Sequence, residues 1–211
     1  MRFKFIVLVC LLLSQAPWAI GQELKGAFFK IGDRRVGLSG LTLVFQDFSV
    51  KISGRGEVRD AMSREDDAEF SKDTEFEPDD RTTTNGDIKI VYFNSFDEAT
   101  AGKIESVNGV KFTYYTSFDI HDIPGRIKSI GNISFKYNNA FDIHDLKGTM
   151  KSVGDIDIKY NNAFDIHDKK GTVKSIGSVS ISWFNAFDSE SYRGKLKSIK
   201  GNTRKLRVYK G

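Results

Sequence analysis

Apolar and polar residues alternate in short bursts along the second half of the chain. Ile133, Phe135 and Tyr137 alternate with Ser134, Lys136 and Asn138, a period of two in which β-branched and aromatic residues share one side, which predicts a half-buried strand. Helical periodicity is absent. A shorter apolar burst follows at Thr149 to Val153, so the local pattern predicts two strands in quick succession.

The same pattern returns at a fixed interval. Phe-Asp pairs stand at 96–97, 118–119, 141–142, 164–165 and 187–188, spaced by 22, 23, 23 and 23 residues. Five tandem units follow, 86–107, 108–130, 131–153, 154–176 and 177–199, a fidelity that marks a repeat architecture. Leu41, Leu43 and Phe45, with Gly56-Glu57-Val58 after them, echo the pattern and suggest a degenerate sixth copy.

Turn residues predict how the strands connect. Successive units meet at Asn108-Gly109, Gly131-Asn132, Gly154-Asp155 and Gly177-Ser178, pairs that supply the positive φ angles of tight antiparallel hairpins. The connection inside a unit, such as Asp142 to Gly148, is longer and ends in Gly. The expected fold is therefore all-β: 23-residue β-hairpin repeats in one continuous antiparallel meander. A parallel β-solenoid with one coil per unit is the alternative, but it has no need of a hairpin turn at one fixed place.

A hairpin across Gly131-Asn132 sets Ile130 opposite Ile133, Lys128 opposite Phe135 and Arg126 opposite Tyr137, placing cations beside rings on one face. Ile127, Ser129, Ser134, Lys136 and Asn138 then fall on the other, mostly wet face. Curling the sheet, or covering it with residues 22–52, would bury the aromatic stripe.

These units resemble the YD or RHS type of repeat, in which an aromatic-Asp pair, a Gly-basic pair and an aliphatic strand recur as hairpins. The matching pieces are Phe118-Asp119 with Gly125-Arg126-Ile127, and Phe164-Asp165 with Gly171-Thr172-Val173. This chain has Phe where that family prefers Tyr, and a slightly longer period. The resemblance covers residues 86–199 and implies exported hairpin scaffolding, often at cell surfaces, with no catalytic residues to carry over.

The flanking segments differ in character. Arg2 and Lys4 precede an unbroken apolar run from Phe5 to Leu13, and Ala19-Ile20-Gly21 offers small residues before a cut, so residues 1–21 read as a secretory signal cleaved before Gln22. That run is too short to span a bilayer, which takes roughly 20 residues. No transmembrane segment is expected after cleavage, and the address is secreted, periplasmic or cell-surface. Cys10, the only cysteine, lies inside the leader, so the processed chain has neither a disulfide nor a thiol nucleophile. Residues 22–59 read as an N-terminal β segment containing the degenerate copy. Residues 60–85 read as an acidic flexible linker or insertion: between Asp60 and Asp80 ten acidic residues face only Arg64 and Lys72, a net of −8. Residues 200–211 read as a basic edge strand or tail.

The whole chain of 211 residues carries a net charge of +4, and +2 once Arg2 and Lys4 are removed. That balance argues against a nucleic-acid partner. The tail is locally basic and invites contact with an anionic envelope surface, or with the acidic linker.

Candidate chemistry concentrates at one place in the unit. Asp119, His121 and Asp122, then Asp142, His144 and Asp145, then Asp165, His167 and Asp168 offer carboxylate, imidazole and carboxylate within four residues, a donor set suited to a weakly held divalent metal such as zinc. Turn chemistry accounts for the same aspartates, because Asp side chains accept backbone N–H groups. Tyr137, Asn138, Tyr160, Asn161 and Trp183 recur at matching positions and offer equivalent subsites to a polysaccharide, with the strand core as their other use. No nucleophile elbow, phosphate loop or dinucleotide fingerprint is present. Repetition also works against the single asymmetric pocket that catalysis requires. The expectation is a non-enzymatic binding or structural module of the envelope or extracellular space, without a firmly bound cofactor, whose partner is a polysaccharide or another envelope protein.

Overall fold

The computed structural model describes residues 23–33, 35–63, 82–85 and 87–211. Every regular element among them is a strand. The expected leader and most of the acidic segment lie outside the described residues.

The chain first lays down β1 (Gly26–Ile31), β2 (Gly40–Val44), β3 (Phe48–Ser53) and β4 (Val58–Ser63) as an antiparallel meander. A second sheet begins with β5 (Thr82–Asn85) and continues through five hairpin units. These are β6 (Ile88–Tyr92) with β7 (Ile104–Val107), β8 (Val110–Tyr114) with β9 (Ile127–Ile130), β10 (Ile133–Tyr137) with β11 (Met150–Val153), β12 (Ile156–Tyr160) with β13 (Val173–Ile176), and β14 (Val179–Trp183) with β15 (Leu196–Lys200). Finally β16 (Leu206–Lys210) returns to the first sheet and pairs parallel with β1, Phe29 opposite Val208. The result is an eleven-stranded sheet in sequence order beside a five-stranded sheet in the order β16-β1-β2-β3-β4.

All pairings in the larger sheet are antiparallel, so the repeats form a meander and not a solenoid. The tight turns do what their residues require. Asn108 and Gly109 both have positive φ, 48° and 78°, whereas Gly131, Gly154 and Gly177 have positive φ only at the first turn position, 55°, 53° and 51°. These are the two hairpin geometries whose twist matches the flanking strands.

Two expectations change. Leu41, Leu43 and Phe45 do not begin a sixth repeat, because β2 pairs with β1 and β3 in the other sheet. The basic C-terminal strand is an edge, but of the five-stranded sheet, so the chain ends are joined through a parallel pairing that local sequence does not encode.

The face assignment of the short strands also changes. Tyr114 pairs with Ile127 while Thr113 pairs with Ser129, leaving Lys128 as an extra, bulged residue. The same shift occurs at Glu105, Lys151, Lys174 and Lys197. A bulge adds one residue without a partner and so exchanges faces for everything before it. Ile127, expected on the wet face, is fully buried together with Ile130, and Asn138 is buried as well. Only Ile130–Ile133 and Ser129–Ser134 form the predicted cross-turn register. Cations still lie beside rings: Arg126 sits 5.1 Å from the Tyr137 ring centre and Lys128 5.2 Å from that of Tyr115.

The inward faces of both sheets share one apolar core, with Phe29, Phe45 and Phe48 from the first sheet and Phe112, Phe135, Met150 and Ile176 from the second. Backbone contacts lock the sheets together. The Ile127 N–H donates to the Gly56 carbonyl at 2.8 Å and the Gly37 N–H to the Gly171 carbonyl at 2.8 Å. Gly56 has φ +84°, and a Cβ there would lie 2.0 Å from the Tyr137 hydroxyl oxygen, so only glycine lets the first sheet approach this closely.

Candidate contact surface at the long turns

The aromatic residues proposed as ligand subsites from sequence are interior. Tyr137, Tyr160 and Trp183 are each 4% exposed. Their polar tips are satisfied in one repeated way: Tyr114, Tyr137 and Tyr160 donate their hydroxyls to the carbonyls of Ile104, Ile127 and Met150 at 2.9, 3.0 and 2.6 Å, and the Trp183 indole donates to that of Val173 at 2.7 Å. Each acceptor begins the short strand of the preceding unit, so this ladder ties one repeat to the next. Burial pushes the phenols of Tyr114, Tyr137 and Tyr160 well above their ordinary range. Asn138 and Asn161 are buried too, and their amides donate to the hydroxyls of Thr149 and Thr172 at 2.9 Å, closing the base of each long turn. These residues hold the fold and have no face to offer a polysaccharide.

The aspartate of each Phe-Asp pair is committed to its own unit. The backbone N–H groups of Thr116, Asn139, Asn162 and Asn185 donate to Asp119, Asp142, Asp165 and Asp188 at 2.8–3.0 Å. The other carboxylate oxygen takes the bulged lysine nine residues on: Lys128, Lys151, Lys174 and Lys197 lie 2.7, 2.5, 2.6 and 3.3 Å away. In these four units the bulge thus turns one lysine outward to meet the turn, whereas the bulged residue of the first unit is Glu105. The lysine hydrogen bond holds Asp119, Asp142 and Asp165 below the usual carboxylate range, and the Asn185 N–H does most for Asp188.

The histidines are occupied differently. His121, His144 and His167 lie against Phe141, Phe164 and Phe187 of the next unit, with ring centres 4.8, 4.6 and 4.4 Å apart. The carboxylates and imidazoles of Asp119, His121, Asp122 and their counterparts are not brought into one metal-sized cluster, and no such group of three occurs among the described residues. Burial raises the Asp122 carboxyl, with the neighbouring Asp119 charge adding to the effect. Asp145 and Asp168 occupy the same turn position, each donating a backbone N–H to the carbonyl of the Phe-Asp aspartate at 3.1 Å.

What the long turns do present is apolar. Phe96 is fully exposed, Phe118, Phe141, Phe164 and Phe187 are 71–90% exposed, and Ile120, Ile143 and Ile166 are 76–81% exposed. Every long turn therefore stands a Phe in solvent at the same end of the sheet, and the three middle turns add an Ile, repeated every two strand spacings, roughly 9–10 Å. Sequence reading used Phe-Asp as a repeat marker and missed this exposure. The signal was there: a Phe flanked by turn formers lies outside both alternating strands and has no core position to occupy.

The row is held in place. Asn139, Asn162 and Asn185 accept the N–H of Phe141, Phe164 and Phe187 at 3.0–3.1 Å, and the Ala186 N–H reaches the His167 carbonyl at 3.0 Å, joining adjacent turns. Between the last two turns an open groove of about 270 Å³ is lined by His167, Asp168, Phe184, Asn185 and Arg193 among others, small for a ligand pocket. No helix among the described residues is long and apolar enough to cross a membrane.

Set against protein-family models, curated proteins and solved structures, the chain matches none of them.

Proposed function

We propose that this chain is an exported, non-enzymatic repeat protein that works as a binding module, its two-sheet body serving to hold a row of apolar turn side chains in fixed register. The observation that carries this reading is the exposure of five Phe and three Ile on successive turns at one end of the sheet, beside an interior that already has its own aromatic ladder. Scattered surface hydrophobes are ordinary, but a contiguous apolar row on a rigid scaffold is the mark of a contact site. The Asn and Asp that flank Phe141 and Phe164 are spent on hydrogen bonds within their own unit, which favours an apolar contact over hydroxyl-rich glycan recognition.

The test is retention of the purified protein on cell-envelope material from its source, compared with a Phe118→Ser, Phe141→Ser, Phe164→Ser, Phe187→Ser variant. Loss of retention in a variant that still unfolds cooperatively supports a contact surface. Equal retention of both proteins contradicts it.

A further inference from the structure

Taking the row as a contact surface, we infer that its occupant is the same row of a second copy, packed two-fold antiparallel so that the chain forms a side-by-side dimer through its long turns.

Area is the first argument. Eight side chains at these exposures present on the order of 1,000 Å² of apolar surface, taking about 150–250 Å² for each aromatic. The largest apolar patch on a typical monomer is about 300–600 Å². A stable dimer needs about 800 Å² from each partner, so two rows in contact supply what a specific interface requires.

Commensurability is the second. The row runs through four unit steps, roughly 36–40 Å, with one Phe at every turn and one Ile at each of the three middle turns. A surface of matching length and period is a second copy of this row. In a two-fold arrangement Phe96 meets the partner copy of Phe187, Phe118 and Ile120 meet the copies of Phe164 and Ile166, and Phe141 and Ile143 meet their own copies, so every step is matched at once.

Charge permits the approach. The turn-proximal aspartates are neutralised by the bulged lysines. With neutral His, residues 96–106 sum to −2, 118–128 and 141–151 to zero, and 164–174 and 187–197 to +1, so in the two-fold pairing no two like-charged turns meet. Two copies therefore meet without like-charge repulsion along the row. Order adds to this, because the His-Phe contacts and the Ala186 to His167 hydrogen bond hold neighbouring turns together before contact, which lowers the entropic cost of association.

The experiment is sedimentation equilibrium of the purified protein from about 1 to 100 μM, a range that resolves micromolar self-association, alongside Ile143→Asp/Ile166→Asp and, as a control on the opposite wet face, Lys136→Asp. The expected result is a monomer–dimer equilibrium in the parent and in Lys136→Asp, weakened at least about tenfold in the double Asp variant while its far-UV spectrum is unchanged. A parent that is monomeric throughout overturns self-association, as does a dimer that survives both Asp substitutions. In the monomeric case the envelope-retention comparison still decides by itself whether the row is a contact surface for another partner, such as a polysaccharide or a different protein.

Discussion

The hydroxyl of Tyr137 donates to the carbonyl of Ile127 at 3.0 Å, across the boundary between two repeats and beneath the close approach of Gly56. That bond joins three levels of the molecule: the alternation that turns Tyr137 inward, the bulge that brings Ile127 to the same face, and the docking of the first sheet on the second. Removing the hydroxyl leaves a buried carbonyl without that donor, so Tyr137→Phe and Tyr160→Phe should each cost about 1–3 kcal/mol. Truncation to Ala should cost about 3–5 kcal/mol by leaving a core cavity. Urea unfolding measures both, and a neutral Tyr160→Ala would remove these rings from the core.

Gly56 is the point where the two sheets are most sensitive to one added methyl. Gly56→Ala meets both a positive φ and the Tyr137 hydroxyl, and should destabilise by more than the roughly 1 kcal/mol that conformational strain alone exacts. Gly109 also has positive φ, but a Cβ there has nothing within 4 Å. Gly109→Ala should therefore be the milder of the two in the same unfolding assay.

The bulged lysines separate register from charge. Lys151→Ala removes a half-exposed ion pair with Asp142 and should change stability by no more than about 1 kcal/mol. Deleting Lys151 instead restores strict alternation and turns fully buried Met150 toward solvent. The deletion should unfold the third unit or shift the array, read as lost cooperativity in thermal melting. Equal effects of deletion and Ala substitution would show that the bulge has no role in register.

The turn aspartates set an acid limit. Asp119, Asp142, Asp165 and Asp188 all have carboxyls held below the ordinary aspartate value. A group depressed on folding contributes stability that is present above its unfolded pKa and is lost as pH falls through its folded value. Stability should therefore be flat with respect to these groups above about pH 4 to 5 and decline below pH 3.8. The slope should be smaller in an Asp142→Asn/Asp165→Asn variant, and the effect modest because all four pairs are exposed to solvent and salt.

Much of this architecture is legible in the amino-acid order because it is local. Ile133, Phe135 and Tyr137 alternate, the Gly131-Asn132 pair turns, and adjacent strands must then pair antiparallel. The bulge is harder to see, since a reading that keeps period two through Ile127-Lys128-Ser129-Ile130 places Ile127 outside. The clue was that Ile127/Ile130, Met150/Val153 and Val173/Ile176 are all apolar three residues apart, a spacing that a flat strand cannot bury on one face. The pairing of β16 with β1 depends on contacts between the two ends of the chain, which no local pattern states. At the long turns the residue types were recognised, but their partners were not: His144 lies against Phe164 because the meander sets unit against unit.

The protein divides its aromatics between those that hold the fold and those that face outward. The most direct measurement is urea unfolding of Phe141→Ser/Phe164→Ser beside the parent, at a concentration where both are monomeric. Surface substitutions away from packing usually change stability by about 0.5 kcal/mol or less, so the account predicts a loss of no more than about 1 kcal/mol for the pair. A loss of several kcal/mol, the magnitude of about 3–5 kcal/mol expected for a buried Phe, would place these rings among the supports of the fold and contradict a surface reserved for contact.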